Sequence, residues 1–290
     1  MERKIYLNGV FVEKKDAKIS VFDHGLLYGD GVFEGIRSYS RKVFRLHKHM
    51  ERLYAGAAAI KLNVNMSIDE FESKIIETLR INGLDDAYIR VVVTRGVGDL
   101  GLDPRKCSLP TIFIIADKIV LYPEEFYEKG LPIIIAKTRR ISPQSISPAI
   151  KSLNYLNNIL GKIEATAAGC NEALMLTIDG YVAECTGDNI FLIKKGKLIT
   201  PPSEIGALNG ITQQAVIDIA LKRGMKFGYE MLKPNDIFDA DECFLTGTAA
   251  EVIPVNKVDG KVIGSGVPGS VTKDIILAFR ELTRVDGTAY

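Results

Sequence analysis

Gly96-Val97-Gly98-Asp99-Leu100-Gly101 fits the G-x-G-x-x-G pattern of a dinucleotide-binding turn and follows a run, Ala87 to Thr94, that reads as a strand. Asp117 even lies downstream at the spacing expected of a ribose-binding acid. A turn of that kind must open a helix, and here Pro104 and Pro110 interrupt the stretch where the helix would run. The glycines therefore read as a mobile loop over a substrate cleft, not as part of a doubly wound nucleotide fold. The strand before them places Tyr88, Arg90 and Val92 on one face and Ile89, Val91 and Val93 on the other, so its polar pair points into that cleft.

Outward from this loop, strands dominate and helices come between them without a strict βαβ rhythm, which predicts an α+β architecture. Towards the N-terminus, Asn8-Gly9 joins Ile5-Tyr6-Leu7 to Val10-Phe11-Val12 as a two-residue hairpin turn. His49 to Ile60 reads as a helix, and Ser67-Ile68-Asp69-Glu70 is a capping box opening a second that stops near Asn82-Gly83. Thr111 to Ala116 is another strand. Lys118 to Gly130 loses its period and carries Pro123, so we expect an N-terminal domain over 1–117, a linker over 118–130 and a C-terminal domain over 131–290. The latter holds strands at Ile133 to Ala136, Ala173 to Ile178, Tyr181 to Glu184, Asn189 to Ile193 and Glu242 to Thr246. Its helices are Leu153 to Ala168, Ile211 to Lys222 and a closing one, Thr272 to Leu282.

Composition narrows the function classes. The 290 residues are 47% apolar and 25% charged, the balance of an ordinary globular protein with room for two domains. Thirty-seven basic residues against 36 acidic ones, with no dense basic run, argue against nucleic acid. Apolar runs fall far short of the roughly 20 residues a membrane helix needs, and Met1-Glu2-Arg3-Lys4 is followed by no apolar signal core, so a cytoplasmic location is expected. Cys107, Cys170, Cys185 and Cys243 are too scattered for a zinc cluster or a disulfide framework. His47-x-His49 lacks a convincing third imidazole, so no metal is expected.

Ala149-Ile150-Lys151-Ser152-Leu153-Asn154-Tyr155-Leu156 offers an amine with a tyrosine four residues on. A lysine becomes a nucleophile towards an aldehyde when apolar burial or a nearby cation favours its neutral form. On a helix Tyr155 would share its face and reach the phenolic oxygen of a pyridoxal ring. Pyridoxal phosphate also needs an anion at its ring nitrogen and a cup for its phosphate. Glu184, at the end of an apolar strand, suits the first. For the second, Gly210 permits close approach at a helix start where Ile211 and Thr212 offer amides and a hydroxyl. The turn Thr246-Gly247-Thr248-Ala249-Ala250-Glu251 is a further candidate, with Arg52 as a planar clamp.

Taken together these segments resemble the class IV aminotransferases, the fold type IV pyridoxal-phosphate enzymes, and among them most closely the branched-chain amino-acid aminotransferases. The resemblance spans nearly the whole chain. It is carried by the run from Phe22 to Arg37 (FDHGLLYGDGVFEGIR), by His49-Met50-Glu51-Arg52-Leu53, Ala87-Tyr88-Ile89-Arg90, Lys151 to Leu156, Gly210-Ile211-Thr212 and Gly247-Thr248-Ala249-Ala250-Glu251. It implies a two-domain fold with a small N-terminal α/β domain and a larger β-rich C-terminal domain. It implies that Lys151 binds the cofactor and moves the proton, with Tyr155 at the phenolic oxygen, Glu184 at the ring nitrogen, and Arg52, Ile211, Thr212 and Thr248 on the phosphate. Phe33, Gly35, Arg37 and Tyr88 would line the substrate pocket, the Thr248 and Ala249 amides would lie near the α-carboxylate, and Arg90 would receive the distal carboxylate of glutamate. Tyr28 and the loop around Leu100 would reach the neighbouring subunit's pocket in a homodimer. The implied reaction is transfer of the amino group of leucine, isoleucine or valine to 2-oxoglutarate, by a ping-pong course, yielding 2-oxo acids and glutamate.

Asn209 stands where relatives often have proline, Gln213 where arginine is usual, and Cys185 where glycine is common. Two activities of the same fold stay open as alternatives. A D-amino-acid aminotransferase would follow Thr94-Arg95-Gly96 with a histidine, which this sequence does not supply. An aminodeoxychorismate lyase fits poorly with the Tyr88/Arg90 strand and the Gly247-Thr248-Ala249-Ala250 turn.

Overall fold

Asn8 and Gly9 both adopt positive φ, 46° and 96°, so the chain reverses tightly between β1 (Lys4–Leu7) and β2 (Val10–Glu13), as the sequence predicts. These are the first strands of a computed structural model that describes residues 2–119 and 122–290. The chain divides into two compact units: Met1–Ile119 with Ile150–Asn154 and Thr283–Tyr290, and Val120–Ala149 with Tyr155–Leu282.

The first unit adds β3 (Gly31–Tyr39), β4 (Lys42–Phe44), β5 (Ala87–Thr94) and β6 (Thr111–Asp117), together with a C-terminal strand, Gly287–Ala289. They form one seven-stranded sheet in the order C-terminal strand, β4, β3, β5, β6, β1, β2. Every pairing is antiparallel, so the helices that come between the strands build no βαβ crossover, in keeping with the expected α+β fold. The short α1 (His24–Tyr28) precedes β3. Two longer helices, α2 (Leu46–Ala59) and α3 (Ile68–Ile81), cover one sheet face. Their apolar stripes, Leu46, Met50 and Leu53 from α2 and Phe71, Ile75 and Leu79 from α3, close over Ile36, Ile89, Val91 and Ile114. Each such burial is worth about 1.5–3 kcal/mol. The capping box at Ser67 and Glu70 is present as expected.

The second unit is built on a nine-stranded mixed sheet. Part of the expected linker folds into it, as α4 (Glu124–Lys129), whose Tyr127 donates to Ala250 O. Residues 120 and 121 lie outside the described residues. After β7 (Leu131–Ile135) come α5 (Leu156–Ala167), β8 (Glu172–Leu176), β9 (Val182–Cys185), β10 (Asn189–Lys194) and β11 (Lys197–Thr200). Then follow α6 (Ile211–Lys222), β12 (Lys226–Tyr229), α7 (Pro234–Phe238), β13 (Glu242–Gly247), β14 (Glu251–Val258), β15 (Lys261–Val262) and α8 (Ser270–Val285). The β8–β9 hairpin turns at Asp179-Gly180, where Gly180 has φ 76°. Residues 150–154 and 283–290, expected within the 131–290 domain, group with the first unit. Pairing of Thr288 with Val43 draws the chain back there, a long-range contact that no local pattern encodes.

Candidate active site

Lys151 does not lie on a helix. Phe33 N donates to Lys151 O and Leu153 N to Gly31 O, both at 3.0 Å, so residues 151–153 run as a short bridge along the free edge of β3. The helix begins only at Leu156, with Tyr155 as its N-cap, and the expected one-turn relation between Lys151 and Tyr155 is corrected accordingly. Backbone pairing with β3 outcompetes the local helical pattern.

The bridge sets the amine against the sheet face that α2 and α3 leave uncovered. On it Phe33 is paired with Val92, Gly35 with Arg90 and Arg37 with Tyr88. Lys151 Nζ sits 4.7 Å from the centre of the Phe33 ring, and the Arg90 guanidinium sits 4.5 Å from the same ring. The Arg90 side chain also donates to Tyr88 Oη at 3.0 Å. Gly35 is required here, since a Cβ would lie 2.2 Å from that phenol oxygen. Phe33, Gly35, Tyr88, Arg90 and Lys151 thus come together as one patch: an aromatic floor flanked by two cations.

Beneath it is an arrangement that sequence reasoning missed. Alternation along β3 turns Glu34 towards α2, where it is fully buried. Arg52 Nε donates to Glu34 Oε1 at 2.7 Å, its Nη2 to Oε2 at 2.8 Å, and His49 Nδ1 bonds Oε2 at 2.8 Å. Arg52 is therefore oriented by an internal ion pair. The signal available in the sequence was a carboxylate at a core-facing strand position, which demands a buried cation. Burial by itself would push the Glu34 carboxyl up, but Arg52 and His49 overcome it and hold it at about 2. Burial pushes His49 below its usual 6.5, against the pull of Glu34.

Both groups have folded-state values below their unfolded ones, so both contribute stability that is lost as pH falls. For His49 the loss begins below about 6.5, and for Glu34 it runs from 4.5 down towards about 2. In melting curves across that range Glu34→Gln should flatten the lower limb and cost about 3 kcal/mol at neutral pH. An unaltered acid limb in the variant contradicts the assignment.

In the second unit Glu184, on β9, is buried. Its Oε2 accepts from Leu208 N at 2.9 Å and from Asn189 Nδ2 at 3.3 Å, and its Oε1 lies 2.9 Å from Arg140 Nη2. None of these three partners was anticipated from the sequence. Gly210 is the N-cap of α6 and has no room for a side chain, as a Cβ would meet Asn189 Oδ1 at 2.1 Å. Ile211 and buried Thr212 open the first turn, whose amides have no partner within the helix. Gln213, where arginine is usual, turns inward: its Oε1 accepts from Gly210 N and its Nε2 donates to Thr200 Oγ1. Thr248 and Ala249 lie in the turn of the β13–β14 hairpin. Just before it, Thr246 Oγ1 is buried and makes no hydrogen bond among the described residues. It stands beside Asn189 in the register.

The glycine loop forms no helix beyond a single 3₁₀ turn at Pro104–Lys106. It is tied to α1 instead: Gly101 N donates to Tyr28 Oη at 3.0 Å, and His24 Nε2 bonds Asp99 O at 3.0 Å. Leu100, Leu102, Leu26 and Phe22 stand exposed around it.

The first unit thus carries a lysine beside an aromatic floor, and the second a buried carboxylate and a helix N-terminus. Residues 31–258 match the model of the family described as amino-transferase class IV, and the chain belongs to that family. Over 279 residues it is 51% identical to the putative branched-chain-amino-acid aminotransferase of Methanocaldococcus jannaschii, with 96% of each chain covered. Its structure superposes on that of the Escherichia coli branched-chain amino acid aminotransferase with a TM-score of 0.95 at 37% identity, covering 98% of this chain and 95% of that one. The branched-chain amino acid aminotransferase of Thermobaculum terrenum, in its PLP-bound holo-form, gives a TM-score of 0.88 at 30% identity, covering 97% and 94%. The family expected from the sequence motifs is thereby established.

Proposed function

We propose that this chain is a pyridoxal-phosphate enzyme that transfers the amino group of leucine, isoleucine or valine to 2-oxoglutarate, releasing the branched 2-oxo acid and then glutamate. The observation that carries the reading is the Phe33 patch, where an amine and a guanidinium flank one apolar ring. A site that takes both an aliphatic side chain and a carboxylate needs apolar walls with one polar contact.

The residues present suit the cofactor. Glu184 would pair with the ring nitrogen, Tyr155 would donate to the phenolic oxygen, and Gly210, Ile211, Thr212, Thr248 and Arg52 would hold the phosphate. The partnerless Thr246 hydroxyl beside Asn189 supports an anionic guest in this half of the site. When bound, pyridoxal phosphate supplies an electron sink for the electrons left at the substrate Cα. Lys151 would hold the cofactor through its Nζ, and the same amine would move the Cα proton. Phe33, Gly35, Arg37 and Tyr88 shape the side-chain pocket, and the Thr248 and Ala249 amides receive the α-carboxylate.

Arg90 is given the distal carboxylate of glutamate. Replacing it by methionine should cut the efficiency of the 2-oxoglutarate half-reaction by about 10–100-fold, the worth of a lost charge-assisted hydrogen bond, and leave that with leucine within a few-fold. Equal losses in both half-reactions would refute this division of labour.

We also assign the protein to the cytoplasm as a homodimer, with Tyr28 and the Leu100 loop completing the partner's pocket. No helix among the described residues is long and apolar enough to cross a membrane. Light scattering should return twice the 31.9 kDa chain mass. A monomer with full activity would sink the shared-pocket reading.

A further inference from the structure

Arg140 has no part in the roles given so far, yet its side chain is fastened to three separate partners. The segment carrying it is fastened along α5. Glu164 accepts from Lys137 N and Thr138 N, Asn157 brackets Arg139 O and Ile141 N, and Arg140 N itself donates to Leu176 O. The guanidinium, only 12% exposed, is held at three corners: Nε donates to Gly206 O at 3.0 Å, Nη1 to Asn158 Oδ1 at 3.0 Å, and Nη2 lies 2.9 Å from Glu184 Oε1. Asn158 is fixed in turn by donating to Thr186 O at 2.8 Å. Glu184 Oε2 takes Leu208 N, so one arginine and one glutamate together grip the loop 206–208 that leads into the N-terminus of α6.

We propose that Arg140 is a positioning residue that aims the Glu184 carboxylate at the ring nitrogen and locks it in register with the phosphate-binding end of α6. The inference rests on the reading of Glu184 as the ring-nitrogen partner. A planar fork is needed for it. Lysine keeps the charge but cannot reach Glu184, Asn158 and Gly206 O at once. Without Arg140 the carboxylate keeps its amide contacts but loses the contact that fixes its plane.

The test is a mutant cycle of Arg140→Met and Glu184→Gln, with Arg140→Lys alongside. Four quantities are read: melting of the apoprotein, the dissociation constant of pyridoxal phosphate, the pH titration of its visible band, and the rate of the half-reaction with leucine. We expect Arg140→Met to weaken cofactor binding and slow the half-reaction by about 10–100-fold, the usual effect of losing such a supporting contact. We expect Glu184→Gln to have little further effect in that background. Arg140→Lys should recover apoprotein stability but neither the parental band titration nor the parental rate. Should Arg140→Met fail to fold, the lysine variant and the double variant, which also removes the buried charge, carry the comparison. Losses that multiply to within about twofold, or full recovery by lysine, overturn the inference and leave the Glu184 reading standing. An unaltered Glu184→Gln protein overturns both.

Discussion

Lys151→Ala should lower leucine transamination by about 10⁴-fold or more, because in the proposed site one side chain would supply both the attachment point and the proton carrier. The amine sits on the sheet face of Phe33, held there by backbone bonds from Phe33 and Leu153. Truncation to alanine leaves those bonds in place, so the variant should melt within a few degrees of the parent. In the parent, borohydride should fix the cofactor to the peptide that contains Lys151. A label on any other lysine removes the site as assigned.

The second large effect is expected at Glu184. Glu184→Ala should still bind cofactor, more weakly, through the phosphate contacts proposed above, yet slow the proton shift by about 10²–10³-fold, the scale of losing one preorganised charge partner. The reason is electrostatic: in the proposed site the carboxylate would keep the ring nitrogen protonated, and a neutral pyridine draws electrons less strongly. Its own surroundings support a fixed anion, with Arg140, Leu208 N and Asn189 all directed at its oxygens. Turnover equal to the parent's, with cofactor bound, would contradict the role.

Features set by neighbours in the chain were legible in the sequence. The Asn8-Gly9 and Asp179-Gly180 reversals, the Ser67/Glu70 cap and the start of α6 at Ile211 follow from backbone preferences acting over a few residues. Alternation along β5 correctly separated Tyr88 and Arg90 from the buried Ile89 and Val91. Lys151 shows where such reading stops. Its spacing to Tyr155 suits a helix, but a strand far earlier in the chain claims its carbonyl, and nothing nearby in the sequence announces that competitor. Arg140 and Glu34 were missed for a related reason: their importance lies in partners brought to them by the fold, Glu184 for the one and Arg52 for the other. Gln213 shows the converse, since the departure from arginine was visible but its turn towards Gly210 N and Thr200 was not.

The short bridge of residues 151–153 to β3 has a kinetic consequence. A reactive group on a loop would wander whenever its bond to the cofactor is broken, and each cycle would begin with a search. Here the main chain at Lys151 and two residues on, at Leu153, is stitched to Phe33 and Gly31, so a displaced amine would swing mainly about its own side-chain bonds. It behaves as a reagent on a leash, and tethering of this kind corresponds to effective molarities that reach about 10⁵ M or more in well-oriented systems. Loosening the stitch at Phe33 N or Gly31 O should therefore appear first in the speed of recapture after product leaves, ahead of any change in how tightly the amino acid binds.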